Sequence, residues 1–278
     1  MFTRKTVIIL IGIFAAAIVF FYAQNNWLVH TSYTVESAKI PPEFNGFTII
    51  QLSDLHSKEF GESNHRLLNV VQEKEPDAVF VTGDLIDSYT PNNGEGVFLM
   101  EQLVDIAPVY FVTGNHEWRL GIVEELQEEL ETIGVEVLRN QATTISKDGA
   151  TIELIGIDDP DSNPDYAPVE FTTIALKAFQ SDNEQYQILI SHRPEMLSAY
   201  KDAEMDLVFT GHAHGGQIRL PIIGGILSPG QGLFPDFSEG VHKTNDTSMV
   251  VNRGLGNSLF PLRLFNRPEV IEVTLKSI

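Results

Sequence analysis

Short polar motifs that contain Asp, Asn or His recur along this 278-residue chain, and each follows a run of apolar residues. Carboxylate, carboxamide and imidazole groups are ligands for divalent Mn, Fe, Zn, Co and Ni, and such a mixed set suits Mg less well. Gathered at one place, they could hold two divalent metal ions and support in-line attack on phosphorus. The motifs are Asp54-Leu55-His56, Gly83-Asp84-Leu85-Ile86-Asp87, Gly114-Asn115-His116-Glu117, Ser191-His192 and Gly211-His212-Ala213-His214.

The apolar runs before these motifs have the length and composition of buried β-strands. Periodic apolar residues between the runs predict helices near 67–71, 120–133 and 171–180. Strands that alternate with helices indicate an α/β domain with covered sheets, in which ligands bind beyond the carboxyl ends of the strands. We therefore expect the polar motifs to converge. The predicted strands cover 47–54, 78–84, 109–115, 151–159, 186–192 and 206–212.

Two of the motifs place their polar residues two positions apart. In an extended chain, residues i and i+2 point to the same side. We therefore expect Asp54 with His56, and His212 with His214, to form same-side pairs able to hold one or two cations. The carboxylate of Asp84 could bridge two metal ions.

Composition excludes several classes of protein. The absence of cysteine removes disulfides, thiolate metal sites and cysteine nucleophiles. With 18 Lys and Arg against 38 Asp and Glu, the formal charge is −20, which argues against a nucleic-acid scaffold role and disfavours docking on anionic lipid headgroups. A phosphorylated substrate stays compatible with this charge, because bound metal ions would supply the positive field.

The N-terminus differs from the rest of the chain. Arg4 and Lys5 precede 18 uncharged residues, 6–23, which as a helix would rise about 27 Å and nearly match the ~30 Å hydrocarbon core of a bilayer. The basic residues predict a cytoplasmic N-terminus over 1–5, a single-pass transmembrane signal-anchor over 6–24, a linker over 25–45 and an extracytoplasmic domain over 46–278, held at the cell membrane. A cleaved signal peptide is the alternative, but Phe21 occupies the first small-residue position of its cleavage site.

The ordered motifs resemble those of the calcineurin-like metallophosphoesterases over about 47–272. Segments 191–195, 211–221 and 252–269 further resemble the bacterial membrane-associated branch of YkuE- and YaeI-like enzymes. The resemblance implies an α/β fold, a four-layer αββα sandwich, here preceded by one N-terminal transmembrane helix. It also implies that 46–278 is a metallophosphoesterase domain with a dinuclear metal centre.

The resemblance assigns a role to each motif. It implies a hydroxide between two metals as the nucleophile, His116 as the group that protonates the leaving oxygen or stabilises the transition state, and Asp87 as the carboxylate that orients His116. One metal would be held by Asp54, His56, Asp84 and His214, and the second by Asp84, Asn115, His192 and His212.

The predicted function is hydrolysis of a phosphate ester by a membrane-anchored di-metal phosphoesterase. Its partners would be the membrane, through the N-terminal helix, and a phosphorylated small molecule or lipid, such as a phosphodiester or a nucleotide-linked lipid of the cell envelope. A phosphomonoesterase or protein phosphatase of the same fold is an alternative, as is a catalytically silent binding protein. The intact pair His116 and Asp87 argues against a silent protein.

Arginines and one apolar loop leave alternatives open. Arg193 and Arg253 are candidate substrate-binding residues, although each could instead pair with acidic side chains. The loop 220–227, followed by Leu233 and Phe234, is apolar for a Gly- and Pro-rich stretch. It is expected either to pack inside a long ordered loop or to form a hydrophobic edge that meets a membrane or acyl chains.

Overall fold

A computed structural model of the chain describes residues 3–91, 93–180, 185–244, 246–257 and 260–278, so residues 1–2 of the predicted cytoplasmic segment lie outside it. Its helices are α1 Arg4–Asn26, α2 His65–Gln72, α3 Asn93–Val104, α4 Asn115–Leu120, α5 Val123–Thr132, α6 Pro168–Leu176 and α7 Leu197–Asp202. Short 3-10 turns cover Pro42–Phe44, Glu62–Asn64, Pro160–Ser162, Lys177–Phe179, Pro194–Met196 and His214–Gly216.

Within the described ranges, the strands form two six-stranded sheets and two small hairpins. The first sheet contains β1 Val29–Ser37, β2 Thr48–Leu52, β3 Ala78–Thr82, β4 Val109–Val112, β5 Glu136–Val137 and β16 Glu269–Ser277. The second contains β6 Gln141–Lys147, β7 Ala150–Gly156, β8 Gln187–Ile190, β9 Leu207–Thr210, β14 Gly240–Thr244 and β15 Thr247–Val251. The hairpins pair β10 Arg219–Leu220 with β11 Gly224–Gly225, and β12 Leu227–Ser228 with β13 Gly232–Leu233.

Each sheet contains a block of parallel strands, and further strands are added at one or both ends of that block. In the first sheet the order is β1-β16-β2-β3-β4-β5, and β2 to β5 run parallel. In the second the order is β14-β15-β9-β8-β7-β6, and β7, β8, β9 and β15 run parallel. The carboxyl ends of β2, β3 and β4 therefore share one edge of the first sheet, and those of β8 and β9 share one edge of the second.

The core consists of three apolar layers. Side chains of both sheets, among them Phe80 and Phe209, meet in the central layer, where their rings lie 5.2 Å apart. The other face of the first sheet is covered by α2, α3 and α5, and the other face of the second by α6 and α7. This is helix, sheet, sheet, helix, so the predicted four-layer αββα sandwich is confirmed.

The predicted linker over 25–45 is wrong for its central part, because residues 29–37 form an edge strand. Strand β1 pairs in parallel with β16 over its whole length, from Val29 opposite Glu269 to Ser37 opposite Ser277. Val35 and Phe44 are buried in the central core layer. The segment looked like a spacer because its composition is polar, and its pairing partner lies at the far end of the sequence.

Helix α1 is longer than the predicted 6–24, and its apolar side chains are mostly exposed. By length and composition it could cross a membrane. Its C-terminal end is bound to the domain: Lys58 and Arg66 donate to the backbone carbonyls of Asn25 and Asn26. The buried Asn25 side chain also accepts from the backbone N–H of Arg263 at 3.1 Å. The helix is therefore fixed to the domain instead of being joined through a flexible tether.

The apolar loop after His214 does not pack inside the protein. It forms the β10–β11 hairpin, at whose tip Ile222 is fully exposed and Ile223 is 59% exposed. Leu227, Leu233 and Phe234 are also exposed. Of the two alternatives for this loop, inward packing is therefore wrong, because the two-residue strands of the hairpin provide no surface that could cover its apolar tip.

Candidate metal centre

The predicted ligands lie directly beyond the strand ends, where the chain bends sharply. The backbone of five of them is left-handed, a conformation that costs about 1–3 kcal/mol for a residue other than glycine. These turns, and not an extended strand, aim the side chains, so the geometric reason given for the two-residue spacing is wrong. The five residues, with φ between 48° and 61°, are Asp54, His56, Asp84, His212 and His214.

One group of ligand atoms converges from β2, β3 and β9. The Nε2 atoms of His56 and His214 lie 3.1 Å apart, and Asp54 Oδ1 is 3.4 Å from His214 Nε2. Asp84 Oδ2 is 3.7 Å from His56 Nε2. All four residues are buried, and their ligand atoms lie within 4.8 Å of one another. Two imidazole nitrogens and two carboxylates at this spacing suit a divalent cation.

A second group uses the same Asp84. His192 Nε2 is 3.2 Å from Asp84 Oδ2 and 3.1 Å from His212 Nδ1. The other ring nitrogen of His192 lies 2.7 Å from the carbonyl of Thr82, which fixes it as the donor and leaves Nε2 free for a cation. His212 and His214 therefore serve different groups, and Asp84 is common to both.

Asn115 completes the set of donors around Asp84. It begins α4, its side chain lines the same pocket as Asp84 and His212, and it is buried. Among the described residues, its Oδ1 has no hydrogen-bond partner. A buried amide oxygen without a partner is costly unless something absent binds it. The residues therefore fit a pair of divalent cations, with Asn115 Oδ1 available to one of them.

The charges of the two groups depend strongly on each other. Burial opposes ionisation of Asp84, but His192, His56 and His116 hold its pKa well below its ordinary value. Burial likewise disfavours charged His192, yet Asp84 and Asp54 raise its pKa to about 10. The buried carboxylates thus need positive charge beside them, which protons provide in the bare protein and bound cations would provide in their place.

His116 lies beside the two groups, with its Nε2 3.9 Å from Asp84 Oδ2. Burial lowers its pKa to about 4, so the imidazole is neutral at pH 7. The N–H of Ser88 donates to His116 Nδ1 at 2.9 Å, which puts the proton of the neutral ring on Nε2. His116 therefore presents an N–H donor toward the candidate metal centre.

Asp87 lies between two imidazoles. Its Oδ1 is 3.3 Å from His116 Nδ1 and 3.7 Å from His56 Nδ1, while Thr90 donates to its Oδ2. Because His116 Nδ1 already accepts from Ser88, the His56 Nδ1–H is the better partner for this carboxylate. Among the described residues, Asp87 Oδ1 accepts no hydrogen bond from either ring, so the orientation of His116 by Asp87 stays a prediction.

Glu117 is a residue that the sequence analysis quoted without a role. Its carboxylate is fully buried and accepts backbone N–H bonds from Asp84, Ile86 and Gly114 at 2.8–3.1 Å. Burial and the nearby Asp84 raise its pKa to about 7. It ties the loop after β3 to the start of α4, so it positions Asp84 and Asn115 together. The signal in the sequence was an acidic residue two positions after a candidate ligand.

Gly83 shows why the loop after β3 needs a glycine. Its φ is +86°, and a Cβ there would lie 2.6 Å from the backbone nitrogen of Gly114 and 2.7 Å from His192 Nδ1. No side chain fits between these groups. The glycine thus lets two candidate ligand loops approach each other.

The predicted substrate arginines are occupied by acids. The guanidinium of Arg193 binds Asp159 with two 2.7 Å bonds and Asp161 with one of 2.6 Å. Arg253 binds Glu269 at 2.9 Å. The ion-pair alternative therefore describes both. The arginine that does line the pocket is Arg119, which the sequence analysis missed although it follows His116 by three residues on α4.

The candidate centre opens into a pocket of about 320 Å³. Its floor contains Asp84, Asn115, His116 and both histidines of the 212–214 motif. Its walls are more apolar, and they include Tyr89, Leu227, Pro229 and Phe260. A phosphate ester with an apolar portion is the kind of molecule that this combination of floor and walls could accommodate.

A two-sheet α/β sandwich with one carboxylate shared between two ligand groups is the construction of a dinuclear metal-dependent phosphoesterase. Residues 47–216 match the family described as calcineurin-like phosphoesterase. The chain belongs to this family.

Its relatives agree with this assignment. The chain is similar to the metallophosphoesterase YkuE of Bacillus subtilis, with 34% identity over 92% of this chain and 88% of that protein. It is 28% identical to the phosphodiesterase YaeI of Escherichia coli over 82% of each. A transmembrane protein with metallophosphoesterase domain from Danio rerio is 29% identical over 91% of this chain and 58% of its own length.

Proposed function

We propose that this protein is a membrane-anchored phosphodiesterase that uses two divalent metal ions to hydrolyse a phosphodiester or a nucleotide-linked lipid. The observation that carries this proposal is the sharing of Asp84 by two buried groups of ligands, with His116 beside them. When bound, the two cations would polarise the phosphoryl oxygens and lower the pKa of water so that a nucleophile forms near neutral pH.

The chain's own residues divide into two ligand sets. One cation would be held by Asp54, His56, Asp84 and His214, whose ligand atoms cluster together. The other would be held by Asp84, His192, His212 and the unpartnered Oδ1 of Asn115. The donors suit Mn, Fe, Zn, Co or Ni better than Mg, because imidazole is a poor ligand for the hard Mg ion.

His116 is proposed to stabilise the negative charge that develops on the leaving oxygen in the transition state, by donating a hydrogen bond from Nε2. Its neutral ring carries the proton on Nε2, the nitrogen that faces Asp84. A neutral imidazole can donate this hydrogen bond at pH 7 without losing its proton, and the leaving oxygen then takes its proton from solvent water. Arg119 also lines the pocket; its Nε pairs with Asp161 Oδ2 at 3.3 Å, and its remaining N–H groups could bind a phosphate oxygen.

Helix α1 is proposed to hold the enzyme in the cell membrane, with the N-terminus in the cytoplasm and the catalytic domain outside. Its 23 residues are long and apolar enough to cross a membrane, and within the helix basic residues stand only at the N-terminal end. The Danio rerio relative is itself a transmembrane protein. An impermeant maleimide added to intact cells should label Ile174→Cys, which is exposed on α6, and leave Thr3→Cys unlabelled.

The activity is tested with the full-length chain, purified in detergent and loaded with Mn²⁺. We expect hydrolysis of bis-p-nitrophenyl phosphate, faster than that of p-nitrophenyl phosphate, since the relative YaeI is a phosphodiesterase. Chelation should abolish turnover, and added Mn²⁺ should restore it. If the chain binds two metals yet hydrolyses neither ester, it is a binding protein and the proposal is wrong.

A further inference from the structure

Large apolar side chains are exposed on two neighbouring segments near α1. In the β10–β11 hairpin these are Leu220, Ile222 and Ile223, with exposed fractions of 38%, 107% and 59%. In the segment 260–265 they are Phe260, Leu262 and Phe265, at 44%, 44% and 52%. These six residues are called the apolar lip below. Clusters of exposed apolar side chains mark surfaces that contact another molecule.

Two residues of the lip are exposed at the cost of backbone strain. Ile222 has φ of 75° and Phe265 has φ of 52°, both in the left-handed region. This conformation is a genuine outlier for a β-branched or bulky residue. An apolar side chain in water and an unfavourable backbone at the same residue are two penalties without any gain inside the folded chain. Such a feature points to a role outside the chain.

The hairpin and the segment 260–265 form one unit. Ile218 and Leu264 form a parallel bridge, and the N–H of Arg219 donates to the carbonyl of Leu264 at 2.9 Å. Leu220, Ile222 and Phe265 line one common surface depression. The lip therefore presents a joined surface and not scattered side chains.

The lip is continuous with α1. The ring of Phe265 packs edge-on against the ring of Phe20, with centroids 5.8 Å apart. Phe20 lies three residues before Ala23, the last residue of the apolar stretch, which is about 4.5 Å along a helix. That stretch only just matches the ~30 Å hydrocarbon core. If Phe20 left the core on one side, the opposite end of the helix would be drawn into the core from the other side, so Phe20 stays inside it. Phe265 must then lie at the level of the acyl chains.

Cations surround the point where α1 enters the domain. Arg66 binds the carbonyl of Asn26 at the end of the helix, and Arg267 lines a groove beside α1 together with Trp27. Lys, Arg and Trp are the residues that occupy the headgroup region of a bilayer. In a chain with a net charge of −20, this local set of cations is complementary to lipid phosphates.

The segment 260–265 also reaches the metal pocket. Phe260 lines the pocket and Phe265 touches α1, and five residue steps span at most about 17 Å. The pocket is thus close to the level at which α1 would emerge from a membrane.

We propose that the apolar lip is a second membrane contact, inserted into the outer boundary of the bilayer that α1 spans, and that it holds the pocket against the lipid surface. This rests on α1 being a membrane span, as the proposed function assumes. Insertion removes Ile222 and Phe265 from water and offsets the strain of their backbones.

The absence of cysteine allows a direct test in the full-length chain. Single-cysteine variants Ile222→Cys and Phe265→Cys are labelled with an environment-sensitive fluorophore in phosphatidylcholine–phosphatidylglycerol nanodiscs, with or without acyl-chain doxyl lipid. Phe14→Cys, in the middle of α1, is the membrane control, and Ile174→Cys, which is 45% exposed on α6, is the water control. Thermal unfolding verifies that each labelled variant is folded.

We expect doxyl lipid to cause a loss of emission at positions 14, 222 and 265, and no loss at 174. If position 14 loses emission while 222 and 265 behave like 174, the lip is not a membrane contact, although the anchor stands. If position 14 also behaves like 174, the anchor fails, and the lip proposal fails with it. None of these readings needs turnover, so a failure of the proposed hydrolysis is recognised separately by the diester assay.

Discussion

The metal centre and the surface formed by α1 and the apolar lip are built in opposite ways. The centre gathers buried polar side chains from five loops, each fixed by a strand end of one of the two sheets. The surface formed by α1 and the apolar lip gathers exposed apolar side chains on a helix, a short hairpin and an irregular segment. Burial of the polar groups costs less free energy when they bind cations. Exposure of the apolar groups costs less when another molecule replaces the water around them.

The two regions are also connected. Asn25, at the end of α1, accepts from the N–H of Arg263, whose guanidinium in turn donates to the carbonyl of Gly256. Gly256 lies against the backbone of Leu55, next to the candidate ligand His56, and no side chain fits at its position. Helix α1 thus reaches the metal centre through three residues. The four predictions below separate or link the two regions, beginning with the largest expected effect.

Replacing Asp84 by Asn should nearly abolish hydrolysis and remove at least one metal ion. The Asn side chain keeps the shape of Asp84 and can still accept a hydrogen bond from the backbone N–H of His116. It lacks the negative charge that both ligand groups share. Losing several kcal/mol of transition-state stabilisation corresponds to at least about a thousandfold lower kcat. Diester hydrolysis and elemental analysis measure the two effects. Asp148→Asn, in the exposed turn between β6 and β7, is the control, and full metal content in Asp84→Asn would contradict the shared-ligand arrangement.

Replacing His116 by Ala should lower kcat by about two to three orders of magnitude and leave the metal content unchanged, as expected for the loss of a hydrogen-bond donor to the transition state. The exposed His65→Ala serves as the matched control. The variant should lose less activity on a substrate whose leaving group needs no proton, such as p-nitrophenolate, than on an alkyl ester. Loss of metal from His116→Ala would instead show that this imidazole is a structural part of the centre.

Asn25→Ala should destabilise the protein by about 1–3 kcal/mol, because the N–H of Arg263 and the amide of Asn257 lose their common acceptor. The neighbouring Asn26→Ala is a close control, since that side chain donates only to Tyr22 in its own helix. Thermal unfolding in nanodiscs compares the two variants, and the diester assay shows whether the change reaches the metal centre. Equal unfolding temperatures would mean that α1 is not structurally joined to the 256–263 loop.

Lys58 should give the unfolding free energy a pH dependence. Burial, assisted by the charge of Arg263, lowers its pKa from 10.5 to about 7. The unfolded chain therefore binds more protons than the folded chain between pH 7 and 10.5, and stability due to this group rises with pH across that window. The slope is at most about 1.4 kcal/mol per pH unit.

Chemical denaturation of wild type and Lys58→Met across this pH range measures the effect, and the slope should be smaller in the variant. Lys177→Met, on an exposed turn, should keep the wild-type slope. An unchanged slope in Lys58→Met would show that Lys58, which binds the end of α1, remains charged in the folded protein over the whole pH range.

The parts of the protein that could be predicted share a local signal. The strands before Asp54, Asp84 and Asn115 are apolar runs that end in polar residues, so their positions and the convergence of their ends follow from pattern alone. Strand β1 could not be predicted in this way, since its pairing partner β16 follows more than 230 residues later. The pairing of Arg193 with Asp159 was likewise undecided, because a sequence does not say which of many acids lies nearby.

The sequence by itself determined the fold class, the family and the residues that form the candidate centre, because each depends on short motifs whose order the chain preserves. The tertiary structure decided which histidine joins which group, since left-handed turns separate His212 from His214. It also decided that the apolar loop faces outward beside α1, because exposure depends on what packs against a segment. For Ile222, nothing among the described residues packs against it, and its apolar surface therefore stays in contact with water in the isolated chain.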